Sequence, residues 1–262
     1  MIVRNEEDRR AVRESGRIAA IALGFAVDLI ERSGREKRKD LTTLEVSRQV
    51  AKVISYYGAG SAPHEDYCFP EAICISINNC IAHGLPDDLT VLRQGDLVNI
   101  DVSVVKEGVY ADNAATVIFG KPKEEVHVAL IKAARQARDL AIAEIRSGAW
   151  VADAVRAMLG AATQAGFGVV DNLCSHGTGA RLHEDPIISA WPDPQDLRMF
   201  SEGQVLAIEP FVSLTMKRAV ERKDGPSRTP AFYLEPASAR AAQFEHTVIV
   251  GKFGSEIVTV PS

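Results

Sequence analysis

The chain has 262 residues, 46% hydrophobic and 25% charged, the proportions of a globular protein with ample sequence to bury a core. A formal net charge of −5 argues against nucleic acid as the main ligand, and the basic run Arg35, Lys37, Arg38, Lys39 reads as a solvated loop. The most apolar helical stretch, 18 to 30, contains Asp28 and is shorter than the roughly 20 residues a membrane span needs, so no membrane association is expected.

The highly charged residues 1 to 10 do not read as a signal peptide. Residues 6 to 32 predict a helix with Ile18, Ile21, Phe25 and Leu29 on one stripe and Gly34 as its stop. Thr42 with Glu45 forms a capping box for a second helix reaching about Tyr57. Residues 72 to 78 are a short β-rich run. Residues 97 to 105 and 109 to 119 predict an antiparallel hairpin around Lys106-Glu107-Gly108. Helices are expected over 123 to 147 and 150 to 166, strands over 204 to 212 and 245 to 250, and a polar loop over 221 to 240. Cys68, Cys74, Cys80 and Cys174 form no CxxC pair, which fits free thiols in a reducing cytoplasm.

Helices, strands, helices and strands in that order suggest an α+β fold of two similar halves. A repeat supports this. The segment 95 to 101, Gly-Asp-Leu-Val-Asn-Ile-Asp, aligns without gaps to 203 to 209, Gly-Gln-Val-Leu-Ala-Ile-Glu. The segment 116 to 120 echoes 247 to 251, and His83-Gly84 echoes His176-Gly177. The first half carries His83, Asp101 and Asp112; the second carries His176, Glu209 and Glu245. All four carboxylates sit in apolar, β-rich sequence, where burial is costly unless the charge is paired or bound to metal. Asp101 and Asp112 lie almost symmetrically about the turn and are expected as cross-strand neighbours. Four carboxylates and one imidazole form a hard, oxygen-rich ligand set suited to a pair of Mn, Fe, Co or Zn ions. His64 and His127 have no motif around them and are expected at the surface. His246, next to Glu245, should point to the opposite face of its strand.

These residues carry a resemblance. Cys74-Ile-Ser-Ile-Asn-Asn-Cys-Ile-Ala-His83-Gly-Leu-Pro86, Val98-Asn-Ile-Asp101-Val, Ser175-His176-Gly-Thr-Gly-Ala-Arg-Leu-His183-Glu-Asp-Pro186, Ile208-Glu209-Pro210 and Gln243-Phe-Glu245-His246-Thr247 resemble, in order, the motifs of type I methionine aminopeptidases. The resemblance implies a single pita-bread metallopeptidase domain over residues 1 to 262, with two pseudo-symmetric halves around an antiparallel sheet. It implies removal of the N-terminal methionine from peptides and nascent proteins, at the ribosome, by a monomer with two divalent ions. Asp112, His176, Glu209 and Glu245 would hold one ion, and Asp101, Asp112 and Glu245 the other. Glu209 would also take the proton from the attacking water. His83 and His183 would contact substrate, with Cys74, Phe69 and Leu182 in the side-chain pocket. His183 and Glu209 are only 26 positions apart, which leaves no room for the helical insert of type II enzymes.

The chain also departs from the family. Ala111-Asp112-Asn113 replaces the usual Gly-Asp-Thr or Gly-Asp-Ser, and Thr178 replaces an aliphatic residue. Ala180-Arg181-Leu182 replaces the usual Arg-Gly-Phe, which removes an aromatic wall. The stretch 66 to 70 matches only at Phe69, and 217 to 240 is long. Two alternatives therefore stand beside methionine removal: an aminopeptidase of altered N-terminal specificity, and a non-catalytic binding homologue.

Overall fold

The computed structural model describes residues 1–215, 218–223 and 229–260. In chain order the first half contains α1 (Glu6–Arg35), α2 (Thr43–Tyr56), β1 (Gly60–Ser61), α3 (Ala62–Tyr67), β2 (Cys74–Ile77), β3 (Cys80–Ala82), β4 (Leu97–Lys106) and β5 (Val109–Ile118). The second contains α4 (Glu125–Ala143), α5 (Val151–Gln164), β6 (Gly168–Val169), β7 (Ser175–Gly177), β8 (Glu184–Ile188), β9 (Val205–Ile208), β10 (Phe211–Ser213), β11 (Val220–Arg222), β12 (Ala231–Tyr233), β13 (Ala241–Gln243), β14 (His246–Val250) and β15 (Ser255–Ile257).

Side-chain alternation along β4 sorts its residues onto two faces. Val98, Ile100, Val102 and Val104 pack against Ile18, Ala22, Ile30, Val50 and Ile54 of α1 and α2. Asn99, Asp101 and Ser103 face away from those helices, into the molecule. The second half repeats the scheme. Leu206 and Ile208 of β9 and Val248 and Val250 of β14 pack against Leu130, Ala134, Ala137, Val155 and Met158 of α4 and α5. Helices thus cover the outer faces, and the polar inner faces converge, which is the pita-bread arrangement. β2 pairs with β4 and β4 with β5; β7 pairs with β9 and β9 with β14, all antiparallel.

The halves meet where β5 runs beside β14. The Thr247 hydroxyl accepts from Asp112 N at 2.8 Å and donates to Asp112 O at 2.8 Å. Thr116, its counterpart in the repeat, accepts from Gln243 N at 2.9 Å and donates to Gln243 O at 3.0 Å. Between these two clasps, Glu245 N donates to Ala114 O at 2.9 Å. Each half therefore fixes the backbone of a functional strand in the other.

Several expectations are corrected in detail. α1 continues to Arg35, with Gly34 inside its last turn, and Lys37 reverses the chain at a φ of 57°. Its buried stripe is lined by Ala19, Ala22 and Ala26 beside Ile18, Leu29 and Ile30, while Phe25 is 38% exposed. Small residues let the helix lie close to the hairpin, so alanine rather than phenylalanine faces it. The strand expected over 204 to 212 divides at Glu209-Pro210 into β9 and β10, which belong to different sheets. Pro210 has no N–H to donate to a ladder. The polar stretch 221 to 240 contains β12 and the end of β11, with residues 224 to 228 outside the described residues. His64 is exposed as expected, but His127 is buried on the packed side of α4.

Removing one clasp tests the seam. Thr247→Val leaves the buried N–H and C=O of Asp112 without partners, so stability should fall by about 1–3 kcal/mol, and Thr116→Val by a like amount. Urea melts of both variants check this; unchanged midpoints would mean that apolar packing alone joins the halves.

Candidate metal centre

The hairpin presents the first two acids. β4 and β5 pair from Leu97↔Ile118 to Lys106↔Val109 around a two-residue turn. Glu107 and Gly108 have φ values of 51° and 76°, the positive pair that a type I′ turn requires. The register places Asp101 opposite Ala114 and Asp112 opposite Ser103. Asp101 and Asp112 are therefore diagonal rather than directly opposed, and two-residue periodicity still puts both on the inner face. Ser103 Oγ donates to Asp112 Oδ1 at 2.7 Å.

The second half delivers His176 from β7, Glu209 from the end of β9 and Glu245 from the start of β14. Ligand atoms of Asp112, His176 and Glu245 lie within 4.8 Å of one another, and all three residues are buried. His176 Nε2 approaches Glu209 Oε1 to 3.1 Å, out of line for a hydrogen bond. Both His-Gly pairs have a steric origin. A Cβ on Gly84 would lie 2.3 Å from Ile75 O, and one on Gly177 would lie 2.3 Å from Asp185 O. Only glycine lets these neighbouring segments approach.

The electrostatics are those of charges held together without compensation. Burial first, then the charges of Asp112 and Glu209, push Asp101 well above the usual carboxylate range. The Glu245 carboxyl is raised well above its range by burial and by the charges of Asp112, Glu209 and Asp101. Glu209 is raised by burial, against the pull of His176. Burial alone would lower the His176 imidazole, but Glu209 outweighs it and the net shift is upward. Asp101 Oδ1, His176 Nε2 and Glu245 Oε1 are buried and make no hydrogen bond. Buried polar atoms are rarely left so. Divalent cations would satisfy all three at once, and the donor set fits them.

Gln243 is a part of this centre that sequence reasoning missed. Its Nε2 donates to Glu209 Oε2 at 2.9 Å and approaches Glu245 Oε2 at 3.4 Å, while its Oε1 accepts from Asn99 Nδ2 at 2.8 Å. In the repeat, Gln243 rather than Glu245 is the counterpart of Asp112, four residues before the clasp threonine. Alignment around Thr116 and Thr247 was the signal that could have found it.

In front of the acids lies a cavity of about 190 Å³ lined by Tyr67, Phe69, Cys74, His83, Leu182 and His183, with Asp101 and Asp112 at its base. Phe69, Cys74 and Leu182 are buried. His83 Nδ1 lies 3.3 Å from Pro230 O, and its ring meets Phe232 edge-on at 5.3 Å. The polar stretch thus supplies a wall of the site, and a Phe-Tyr pair at 232–233 was its sequence signal. His246 points away, with Nδ1 2.9 Å from Thr259 Oγ1.

The chain is similar in sequence and in fold to known metallopeptidases. Residues 10–252 match the model of metallopeptidase family M24. The chain is 34% identical over 260 residues to methionine aminopeptidase 2 of Bacillus subtilis (strain 168), covering 99% of each. It superimposes on the crystal structure of methionine aminopeptidase from Rickettsia prowazekii with a TM-score of 0.89 at 29% identity, covering 99% of this chain and 100% of that one. Prolidase from Pyrococcus furiosus shares the fold, with a TM-score of 0.74 at 20% identity over 66% of that chain.

A carboxyl raised by burial holds its proton to higher pH in the folded chain than in the unfolded one. Its stabilising contribution is complete below the unfolded value and is lost as pH rises toward the folded value. In metal-stripped protein, the Tm of the wild type relative to Glu245→Gln should therefore fall as pH rises from about 5 to about 8. Divalent metal should restore the wild type and do less for the variant. Parallel melting curves would refute an uncompensated charge at Glu245.

Proposed function

The chain belongs to metallopeptidase family M24, with methionine aminopeptidases as full-length relatives, and from that premise we propose that it removes the N-terminal methionine from peptides and nascent proteins. One observation carries the reading: donor atoms of Asp112, His176 and Glu245 converge within 4.8 Å behind a cavity walled by apolar side chains and two histidines.

Two divalent ions per chain, of Mn, Fe, Co or Zn, fit five ligands. Asp112, His176, Glu209 and Glu245 would hold one, and Asp101, Asp112 and Glu245 the other. Bound there, such ions supply Lewis-acid polarisation of the scissile carbonyl and an activated water. The side chains do the rest. Glu209 takes the proton of the attacking water, with Gln243 steadying its second oxygen. His183 contacts the carbonyl oxygen, and His83 faces the amide nitrogen that leaves. Phe69, Cys74 and Leu182 receive the methionine side chain. A single domain acting as a monomer on nascent chains at the ribosome completes the proposal. Four free cysteines fit the cytoplasm, and among the described residues no helix is long and apolar enough to cross a membrane.

Metal-stripped protein reloaded with each metal in turn, assayed on X-Ala-Ser peptides, tests the reading directly. Met-Ala-Ser should be cut best; turnover of a different series would indicate altered specificity, and no turnover a binding protein. Asp112→Asn and Glu245→Gln should abolish activity and lower metal stoichiometry, since each removes a charge shared by both ions. Full activity in either variant at near-stoichiometric metal would end the dinuclear reading.

The pocket gives a finer test. Leu182 packs with Ala62, Val105 and Tyr110, and it stands where the family has an aromatic wall. Sulfur–aromatic contact is worth about 0.3–1.5 kcal/mol. Leu182→Phe should therefore raise the ratio of kcat/KM for Met-Ala-Ser over Leu-Ala-Ser by a few-fold, roughly 2 to 10 times. An unchanged ratio would show that Leu182 does not set the preference.

A further inference from the structure

The segment at the end of α3, the least family-like part of the pocket, grips the chain at Leu182-His183 in two places. Asp66 Oδ2 accepts from the backbone N of Leu182 at 3.0 Å, and its Oδ1 accepts from the Tyr110 hydroxyl at 2.8 Å. The next residue, Tyr67, places its hydroxyl 2.6 Å from Nδ1 of His183. Among the described residues, this is the His183 ring's one hydrogen bond; the ring also rests edge-on against His176 with centroids 4.4 Å apart and tilted against the Tyr67 ring at 5.4 Å. His183 lines the cavity and is itself exposed to solvent, so the Tyr67 hydroxyl is what fixes the hydrogen bonding of its Nδ1.

The two histidines are held through the same atom by different partners. His83 Nδ1 faces a carbonyl oxygen, that of Pro230, which can only accept. The Nδ1 of His83 must therefore carry the proton, and its Nε2 is left as an acceptor. His183 Nδ1 faces a phenol, which can donate or accept; the phenol is the stronger acid and the ring nitrogen the stronger base, which favours donation by Tyr67, with Nδ1 bare and the proton on Nε2. We propose that Tyr67 is a positioning residue that fixes His183 as the Nε2–H tautomer, opposite to His83, so that the cavity offers one donor and one acceptor to a single amide. The complementarity fits a peptide bond: the Nε2–H of His183 donates to the carbonyl oxygen, and Nε2 of His83 accepts from the amide N–H. The assignment rests on the peptidase reading for its consequence, though not for its geometry.

The test uses full-length, zinc-loaded protein labelled with ¹⁵N in its histidines. Ring nitrogen shifts of the wild type should show His183 protonated at Nε2 and His83 at Nδ1, with assignments from His183→Gln and His83→Gln. Tyr67→Phe keeps the ring and removes the hydroxyl. It should shift His183 toward a mixture of tautomers while leaving His83 and the zinc content unchanged. On Met-Ala-Ser it should lower kcat roughly ten- to hundredfold, the scale of losing a group that orients a functional side chain, with little change in KM. A purely structural role would instead lower Tm or metal content. Nδ1–H on His183 in the wild type, or unaltered shifts or kcat in Tyr67→Phe, would overturn the proposal. If no peptide is cleaved, the peptidase reading fails, while the ring shifts still decide the role of Tyr67.

Discussion

Asp101, Asp112, Glu209 and Glu245 repel one another in the interior, Asp101 and Asp112 at the base of the cavity and the other two beside them, and the rest of the molecule is arranged to hold them there. Isolated burial of a carboxylate is unfavourable, and burial beside three others is more so. No salt bridge to lysine or arginine relieves the cluster among the described residues. What remains is His176, one amide from Gln243 and one hydroxyl from Ser103, too little for the oxygens present. Strain of this kind is sustained only by a scaffold that gains elsewhere, and the two helix-covered apolar layers provide that gain.

Placing acids from four strands in one cluster demands that two halves agree in position. The reciprocal threonine clasps do this with little material. Each hydroxyl is both donor and acceptor to one residue of the opposite half, so a strand cannot slide without breaking two hydrogen bonds together. The halves are alike in backbone and unlike in chemistry. Where one offers the Asp112 carboxylate, the other offers the Gln243 amide at the end of β13, and its acid lies two residues on, at Glu245 before β14. The repeat thus yields a neutral donor that steadies charge in place of a fifth acid that would add to it.

Much of this is legible in the sequence. The long elements carry strong periodicity, so α1, α2, α4, α5 and the hairpin lie within a few residues of where the sequence puts them. The acids announced themselves because charge inside Val-Ile-rich sequence is conspicuous. Short strands such as β1, β6 and β7 left no signal, since two or three residues cannot show a period and their existence depends on distant partners. The break at Glu209-Pro210 was masked by apolar residues on both sides. Tyr67, Phe232 and Gln243 were missed for a different reason: each acts through a contact of long sequence separation, with His183, His83 and Glu209 respectively. The family resemblance implied a ligand set but gave no role to Tyr67 or to Gln243, although Gln243 lies within one of its motifs.

The two-residue turn at Glu107-Gly108 has an arithmetic consequence. Every rung of the ten-residue hairpin is counted from it, and facing alternates with each rung. An odd number of residues gained or lost on the β5 side would turn Asp112 to the helix face and bring Ala111 or Asn113 inward. An even number would carry it past its partners by a whole step but leave its orientation intact. A length change in β5 between this turn and Asp112 is therefore constrained in parity before it is constrained in size, unless a bulge absorbs the odd residue before it reaches Asp112.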